Sequence, residues 1–267
     1  MTINTFDSNG VRIVYDDVGE GYPIVLLHGF AADSRLNWKL TGWYKRLEYA
    51  GYRVIAPDNR GHGRSDKPVG AEAYDATLVA GDIIGLMDHL GIEKADLFGY
   101  SMGGRNAGWM LSRHQARFSS VVIGGVGMNL LKVGDPEYWI KRGFELTADN
   151  RKTENLAVPA MAPLYQKLSK SEGRLGALSA CLLGSFPSMD ASEFADVNIP
   201  VMVIAGSRDS VSGSPIPLAE AIPHARAVVV PNKTHLTVIN SEFFFGAVLG
   251  FLGHVWQDDP RHSWIDC

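Results

Sequence analysis

Short apolar runs rich in Val, Ile and Leu, each too brief for a helix, recur along this chain with helix-forming segments between them: Pro23–Leu27, Arg53–Ala56, Ala95–Tyr100, Ser119–Gly124, Val201–Gly206 and Ala227–Val230. A strand that is apolar at successive positions must be covered on both faces. Strands of this kind alternating with helices call for an α/β fold, a mostly parallel sheet with helices on both sides. Ahead of them, Thr2–Phe6 and Val11–Tyr15 flank the turn formers Asp7-Ser8-Asn9-Gly10, which predicts an N-terminal hairpin. Helices are expected over Trp43–Ala50, Tyr74–Leu90, Arg105–Arg113 and Phe243–Trp256. In the second of these, Leu78, Ile83, Leu86, Met87 and Leu90 supply the apolar spacing and Gly91 the stop. Open sheets of this class bind ligands at the carboxyl ends of their strands.

One segment breaks the alternation. From about Met128 to Asn198 there is no strand-like run, but Trp139, Phe144, Leu146, Met161, Tyr165, Leu168, Leu175, Leu178 and Leu182 fall in helical arrangements interrupted at Pro159, Pro163 and Pro187. A single crossover needs only about a dozen residues, so the expected organisation is a core of 1–127 and 199–267 with a helical cap inserted at 128–198.

The 267 residues carry 46% hydrophobic and 20% charged side chains, the composition of a chain that buries a large core. Its net charge of -4, with no block of Lys or Arg, lacks the cationic surface that nucleic acid or an anionic membrane requires. The apolar stretch Phe243–Trp256 falls short of the ~20 residues that span a bilayer. Cys181 and Cys267 form no disulfide framework and no metal-ligand spacing, and Met1–Thr5 does not resemble a signal peptide. A cytoplasmic protein without metal or cofactor is the expectation.

The chemistry concentrates after the run Ala95–Tyr100, which ends in Gly99-Tyr100-Ser101-Met102-Gly103 and is followed by a helix. Strand, glycine-flanked serine, then helix is the order a nucleophile elbow needs, a turn so tight that side chains at Gly99 and Gly103 would strike neighbouring backbone. An alcohol is a poor nucleophile at neutral pH, so Ser101 requires a base, and the base an orienting group. Among eight histidines, His235 lies in a polar loop after the last strand, at the carboxyl end where Ser101 stands. His28 and His62 are rivals that sit in glycine-rich turns, while His89, His114, His224, His254 and His262 read as surface or capping residues. For the acid, Asp209 follows the penultimate strand; Asp135 and Asp196 are alternatives within the insertion.

The chain order Ser101, Asp209, His235, together with His28-Gly29-Phe30 after the first buried strand and Asp58 with Arg60-Gly61-His62-Gly63-Arg64-Ser65 after the second, resembles the α/β-hydrolase family over nearly the whole chain. The resemblance implies Ser101 as nucleophile, Asp209 as acid and His235 as base, with the backbone N–H groups of Phe30 and Met102 as the oxyanion hole. It also implies a small-molecule ester, thioester or lactone as substrate, with perhydrolase action as a side reaction. Relatives that open epoxides or displace halide carry aspartate where this chain has Ser101. Those that hydrolyse carbon–carbon bonds usually carry Trp after the histidine, where this chain has Leu236. Carbon–carbon bond hydrolysis stays an alternative, and a small-molecule receptor or signalling protein with slow turnover is the alternative from another class. Phe30, Trp139, Met161 and Phe186 are candidates for an apolar pocket wall.

Overall fold

The computed structural model describes residues 3–131, 172–184 and 189–257. Trp139, Met161 and Phe186, the acid candidate Asp135 and most of the expected cap lie outside these residues.

Eight strands form one sheet in the order β1-β2-β4-β3-β5-β6-β7-β8. The hairpin β1 (Asn4–Ser8) and β2 (Val11–Val18) pairs antiparallel, and β2 continues antiparallel against β4 (Tyr52–Pro57). From β4 onward every pairing is parallel: β3 (Tyr22–Leu27), β5 (Ala95–Tyr100), β6 (Phe118–Gly124), β7 (Val201–Gly206) and β8 (Ala225–Val230). The period of two decides what each strand buries. Val25, Leu27, Leu97, Val121 and Val203 enter one core cluster; Ile24, Leu26, Phe98, Val122 and Ile204 enter the other.

Helices α2 (Ala76–His89), α3 (Met102–His114) and α5 (Ile216–Ala221) cover the first face, and α1 (Trp43–Tyr49) and α6 (Glu242–Gln257) the second. On the second face the rings of Trp38, Trp43 and Phe244 surround Phe98, and Trp43 Nε1 donates to the Ile239 carbonyl at 3.2 Å, tying α1 to the loop ahead of α6. None of the helices among the described residues is long and apolar enough to cross a membrane.

Two expectations are corrected. Leu78 is 41% exposed. The buried stripe of α2 runs through Val79, Ile83, Leu86 and Met87, spaced four, three and one apart, and Leu78 lies about 100° around the helix from Val79. Asp82 shares the buried face because Arg60 reaches it from the loop after β4, with Nε donating to Oδ2 at 2.6 Å. The elbow helix also begins three residues earlier than expected, at Met102, directly after Ser101.

The ends of the irregular segment belong to the packing of the core, since Leu130, Met189, Phe194 and Val197 are buried in its first cluster. Between them, α4 (Glu172–Gly184) places Ala177, Ala180 and Cys181 against Tyr74 and Met102, with Phe30 packed alongside.

Candidate active site

The carboxyl ends of β3, β5, β7 and β8 converge on one place. Ser101 leaves β5 at φ 55° and ψ -115°, a left-handed conformation that costs a residue with a Cβ about 1–3 kcal/mol. Its surroundings hold it there: the Ser101 N–H donates to the Gly124 carbonyl at 2.8 Å, and the Arg105 N–H donates to the Ser101 carbonyl at 2.9 Å as α3 begins. The flanking glycines are a steric necessity. A Cβ on Gly99 would press into the Gly103 carbonyl and stand 2.8 Å from the Gly104 nitrogen, and a Cβ on Gly103 would press into the Leu27 carbonyl and stand 2.8 Å from the His28 oxygen. The end of β3 and the start of α3 are therefore in backbone contact, with nothing between them.

His235 lies in the loop after β8, whose turn is closed by N–H groups of Thr237 and Val238 donating to the Thr234 carbonyl. His235 Nε2 is 2.8 Å from Ser101 Oγ, and Nδ1 is 2.8 Å from Asp209 Oδ2. Asp209 is buried after β7, and its other oxygen, Oδ1, accepts the N–H groups of Val211 and Ser212 at 3.0 Å each. Burial alone would raise the pKa of this carboxyl, but the hydrogen bond and charge of His235 and the donors of Ser212 outweigh it and hold the group below its ordinary value. An ionised carboxylate only accepts, so Nδ1 carries the imidazole proton and Nε2 is left to accept from the Ser101 hydroxyl.

Neither rival histidine is available for that task. His28 is fully buried; its Nε2 accepts the Asn59 N–H at 3.0 Å, so its Nδ1–H donates to the Gly29 carbonyl at 2.8 Å. Burial lowers its pKa and keeps the ring neutral, a fixed link between the loops after β3 and β4. His62 is buried beside it, with Nδ1 3.1 Å from the Arg60 carbonyl. Asp196 is exposed, and Asp209 is the carboxylate that meets His235.

The loop after β3 passes beside Ser101: a Cβ on Gly29 would stand 3.4 Å from the Ser101 Cβ. Asn37 Oδ1 fixes this loop by accepting the Gly29 N–H at 2.9 Å, a role that nothing in the local sequence announces. Phe30 follows, half-buried against Met102 and α4. Met102 is the first residue of α3, so its N–H has no carbonyl four residues back within the helix. Among the described residues no group of three or more His, Cys, Asp and Glu is arranged to hold a metal ion.

Asp58, directly after β4, ties the loop after β3 to the loop after β4. Its buried carboxylate accepts the Ser34 N–H, the Arg64 N–H and Arg64 Nε–H at 2.8–2.9 Å. Burial would raise its pKa, but these hydrogen bonds win and hold it below the ordinary value. A carboxyl whose pKa is lower in the folded than in the unfolded chain stabilises the fold above its unfolded pKa, and that contribution is lost as pH falls through the folded one. Thermal unfolding midpoints should thus drop on acidification below about pH 4, and Asp58→Asn, which cannot titrate, should show a shallower drop. Circular dichroism melts across that range provide the check, and an equally steep drop in Asp58→Asn would contradict the assignment.

Comparison with known proteins agrees with this architecture. The model of the alpha/beta hydrolase fold family matches residues 22–156. The chain is 29% identical over 223 residues to 3-oxoadipate enol-lactonase 2 of Acinetobacter baylyi, covering 78% of this chain and 80% of that one. It is 42% identical over 103 residues to epoxide hydrolase 3 of Siraitia grosvenorii, but that match covers 39% of this chain and only 31% of the epoxide hydrolase. Among solved structures, a meta-cleavage product hydrolase of Pseudomonas fluorescens IP01 superimposes with a TM-score of 0.72 at 26% identity, covering 94% of this chain and 97% of that one. By its sheet, its strand-end site and its match to the family model, the chain belongs to the alpha/beta hydrolase fold family and is a hydrolase of that fold.

Proposed function

We propose that this hydrolase cleaves a small carboxylic ester or lactone through an acyl-enzyme formed on Ser101. The observation that carries the reading is the continuous chain from Ser101 Oγ to His235 to Asp209, with 2.8 Å at each step and the imidazole tautomer set by a carboxylate held ionised. As Ser101 Oγ attacks the acyl carbon, His235 Nε2 takes its proton, and Asp209 stabilises the imidazolium that results. The carbonyl electrons move onto oxygen, where the N–H groups of Phe30 and Met102 receive the charge. Donors of this kind are worth roughly 3 kcal/mol each to the transition state. Collapse of the tetrahedral species breaks the bond to the leaving alcohol, which departs with the proton from Nε2. Water then attacks the acyl-enzyme with His235 again as base, and the acid leaves.

Ser101 at the elbow argues against the epoxide chemistry named for one relative, because the family's epoxide hydrolases attack with aspartate. Leu236 after His235 argues against carbon–carbon cleavage. The lactonase relative, which matches four-fifths of its own length, favours an ester or lactone. We read the interior of the segment 128–198, between ends that pack into the core, as a cap that selects the acyl group. Support comes from α4, whose Ala177, Ala180 and Cys181 pack on Met102 and Tyr74, beside the nucleophile.

A fluorescent organophosphonate tests the reading. It should label one residue, mapped to Ser101 by peptide mass, while a panel of esters of graded acyl length and lactones identifies a substrate with multiple turnovers. Label in Ser101→Ala protein, or on a different peptide, would remove Ser101 as nucleophile. Stoichiometric acylation without turnover on every ester would favour a receptor.

A further inference from the structure

Tyr100, between Gly99 and Ser101 in the Gly-x-Ser-x-Gly turn, has a side chain that the reaction above does not use. It is buried at the end of β5, one residue before Ser101. Its hydroxyl donates to the backbone carbonyl of His235. Its ring lies beside the imidazole, with centroids 5.5 Å apart and planes at 35°. The ring also meets Phe244 of α6 at 6.2 Å, edge to face, and it closes over Gly125, where a Cβ would come within 2.8 Å of it.

We propose that Tyr100 is a positioning residue that fixes the loop carrying His235 by tethering its backbone carbonyl to the same strand end that carries Ser101. This rests on the roles given above to Ser101 and His235. Strand β8 is parallel to β7 and separated from β5 by β6 and β7, so register within the sheet leaves the distance from Ser101 to the loop after β8 dependent on three strand pairings. The Tyr100 side chain bypasses them. The nucleophile's own neighbour grips the base's own backbone, and any shift of β5 carries both partners together. Burial pushes the Tyr100 phenol well above its ordinary pKa, with the Asp209 charge adding to the effect, so the hydroxyl keeps its proton and remains a donor.

The two contacts are separable. Tyr100→Phe keeps the ring against His235, Phe244 and Gly125 and removes only the hydroxyl. The loop then gains freedom at the one carbonyl that the tether held, and Nε2 spends less time at hydrogen-bond distance from Ser101 Oγ. Misplacement by an ångström costs about 100-fold in rate, and partial loss of alignment should lower kcat about tenfold, with KM within about twofold of wild type. A merely structural role would lower the folded fraction and leave kcat per folded molecule unchanged.

The experiment combines steady-state kinetics of Tyr100→Phe, normalised to the folded fraction from circular dichroism, with proton NMR of the His235 Nδ1–H. That proton sits in a 2.8 Å bond to a buried carboxylate and should resonate far downfield, identified by its absence in Asp209→Asn. In Tyr100→Phe the resonance should move upfield or broaden by exchange, together with the tenfold loss of kcat. An unmoved resonance, or a kcat per folded molecule within twofold of wild type, would overturn the proposal. Full hydrolysis by Ser101→Ala would instead remove the nucleophile assignment, and the resonance would still report whether Tyr100 holds the histidine loop.

Discussion

Asp209→Asn should lower kcat by about 10⁴, the scale on which a serine protease loses turnover when its orienting aspartate becomes asparagine. That corresponds to ~5.5 kcal/mol of transition-state stabilisation. The structure supplies the reason why the amide cannot evade the defect by flipping. Oδ1 accepts two backbone N–H groups, from Val211 and Ser212, and an NH₂ placed there would face two donors. The asparagine oxygen must therefore stay on that side, which turns the NH₂ toward His235 Nδ1. Nδ1 then has to accept, the imidazole proton moves to Nε2, and the ring can no longer take the proton of Ser101. Both loop hydrogen bonds survive, so the fold should be retained. Kinetics alongside circular dichroism provide the check. A folded Asp209→Asn enzyme with near wild-type kcat would mean that another acid, such as Asp135, orients the histidine.

Gly103→Ala is the second large effect, and it acts on stability and activity together. The added methyl would meet the backbone of Leu27 and His28, which cannot swing aside as a side chain can. Either α3 lifts from the sheet or the end of β3 is displaced. The first moves Ser101, and the second moves Gly29 and Phe30. Overpacking of this kind should cost about 3 kcal/mol in urea unfolding, and the displacement should cost at least ~100-fold in kcat. Gly81→Ala is the contrast: Gly81 lies on the exposed face of α2 with nothing within 4 Å of its added Cβ, and the change should stabilise by about 0.5–1 kcal/mol. Equal unfolding midpoints for Gly103→Ala and wild type would show that the elbow tolerates a side chain there.

Much of this arrangement is legible in the sequence because it depends on local pattern. Runs such as Ile24–Leu27 and Val201–Ile204 are apolar at consecutive positions because helices cover both sheet faces, and that pattern persists whatever the strand order. The meeting of Ser101, Asp209 and His235 follows from their places just beyond strand ends, since parallel strands bring all such ends to one side of the sheet. What escapes the sequence is tertiary. Leu78 reads as part of a buried stripe because its neighbours are apolar, and only the direction of the sheet selects Val79 instead. Ala227–Val230 reads as a strand covered on both faces, yet β8 is the last strand of the sheet, and Val229 is 38% exposed. Asn37 and Tyr100 act through single hydrogen bonds to residues 8 and 135 positions away, and nothing in their own surroundings marks those partners.

A covalent acyl group on Ser101 is read directly from the mass of the intact protein quenched in acid during turnover of the preferred ester. A species heavier by the acyl group alone should appear, mapped to the peptide containing Ser101, absent from Ser101→Ala and accumulating when deacylation is slowed. Turnover with no adduct at any time of quenching, or an adduct carried by an aspartate, would contradict it.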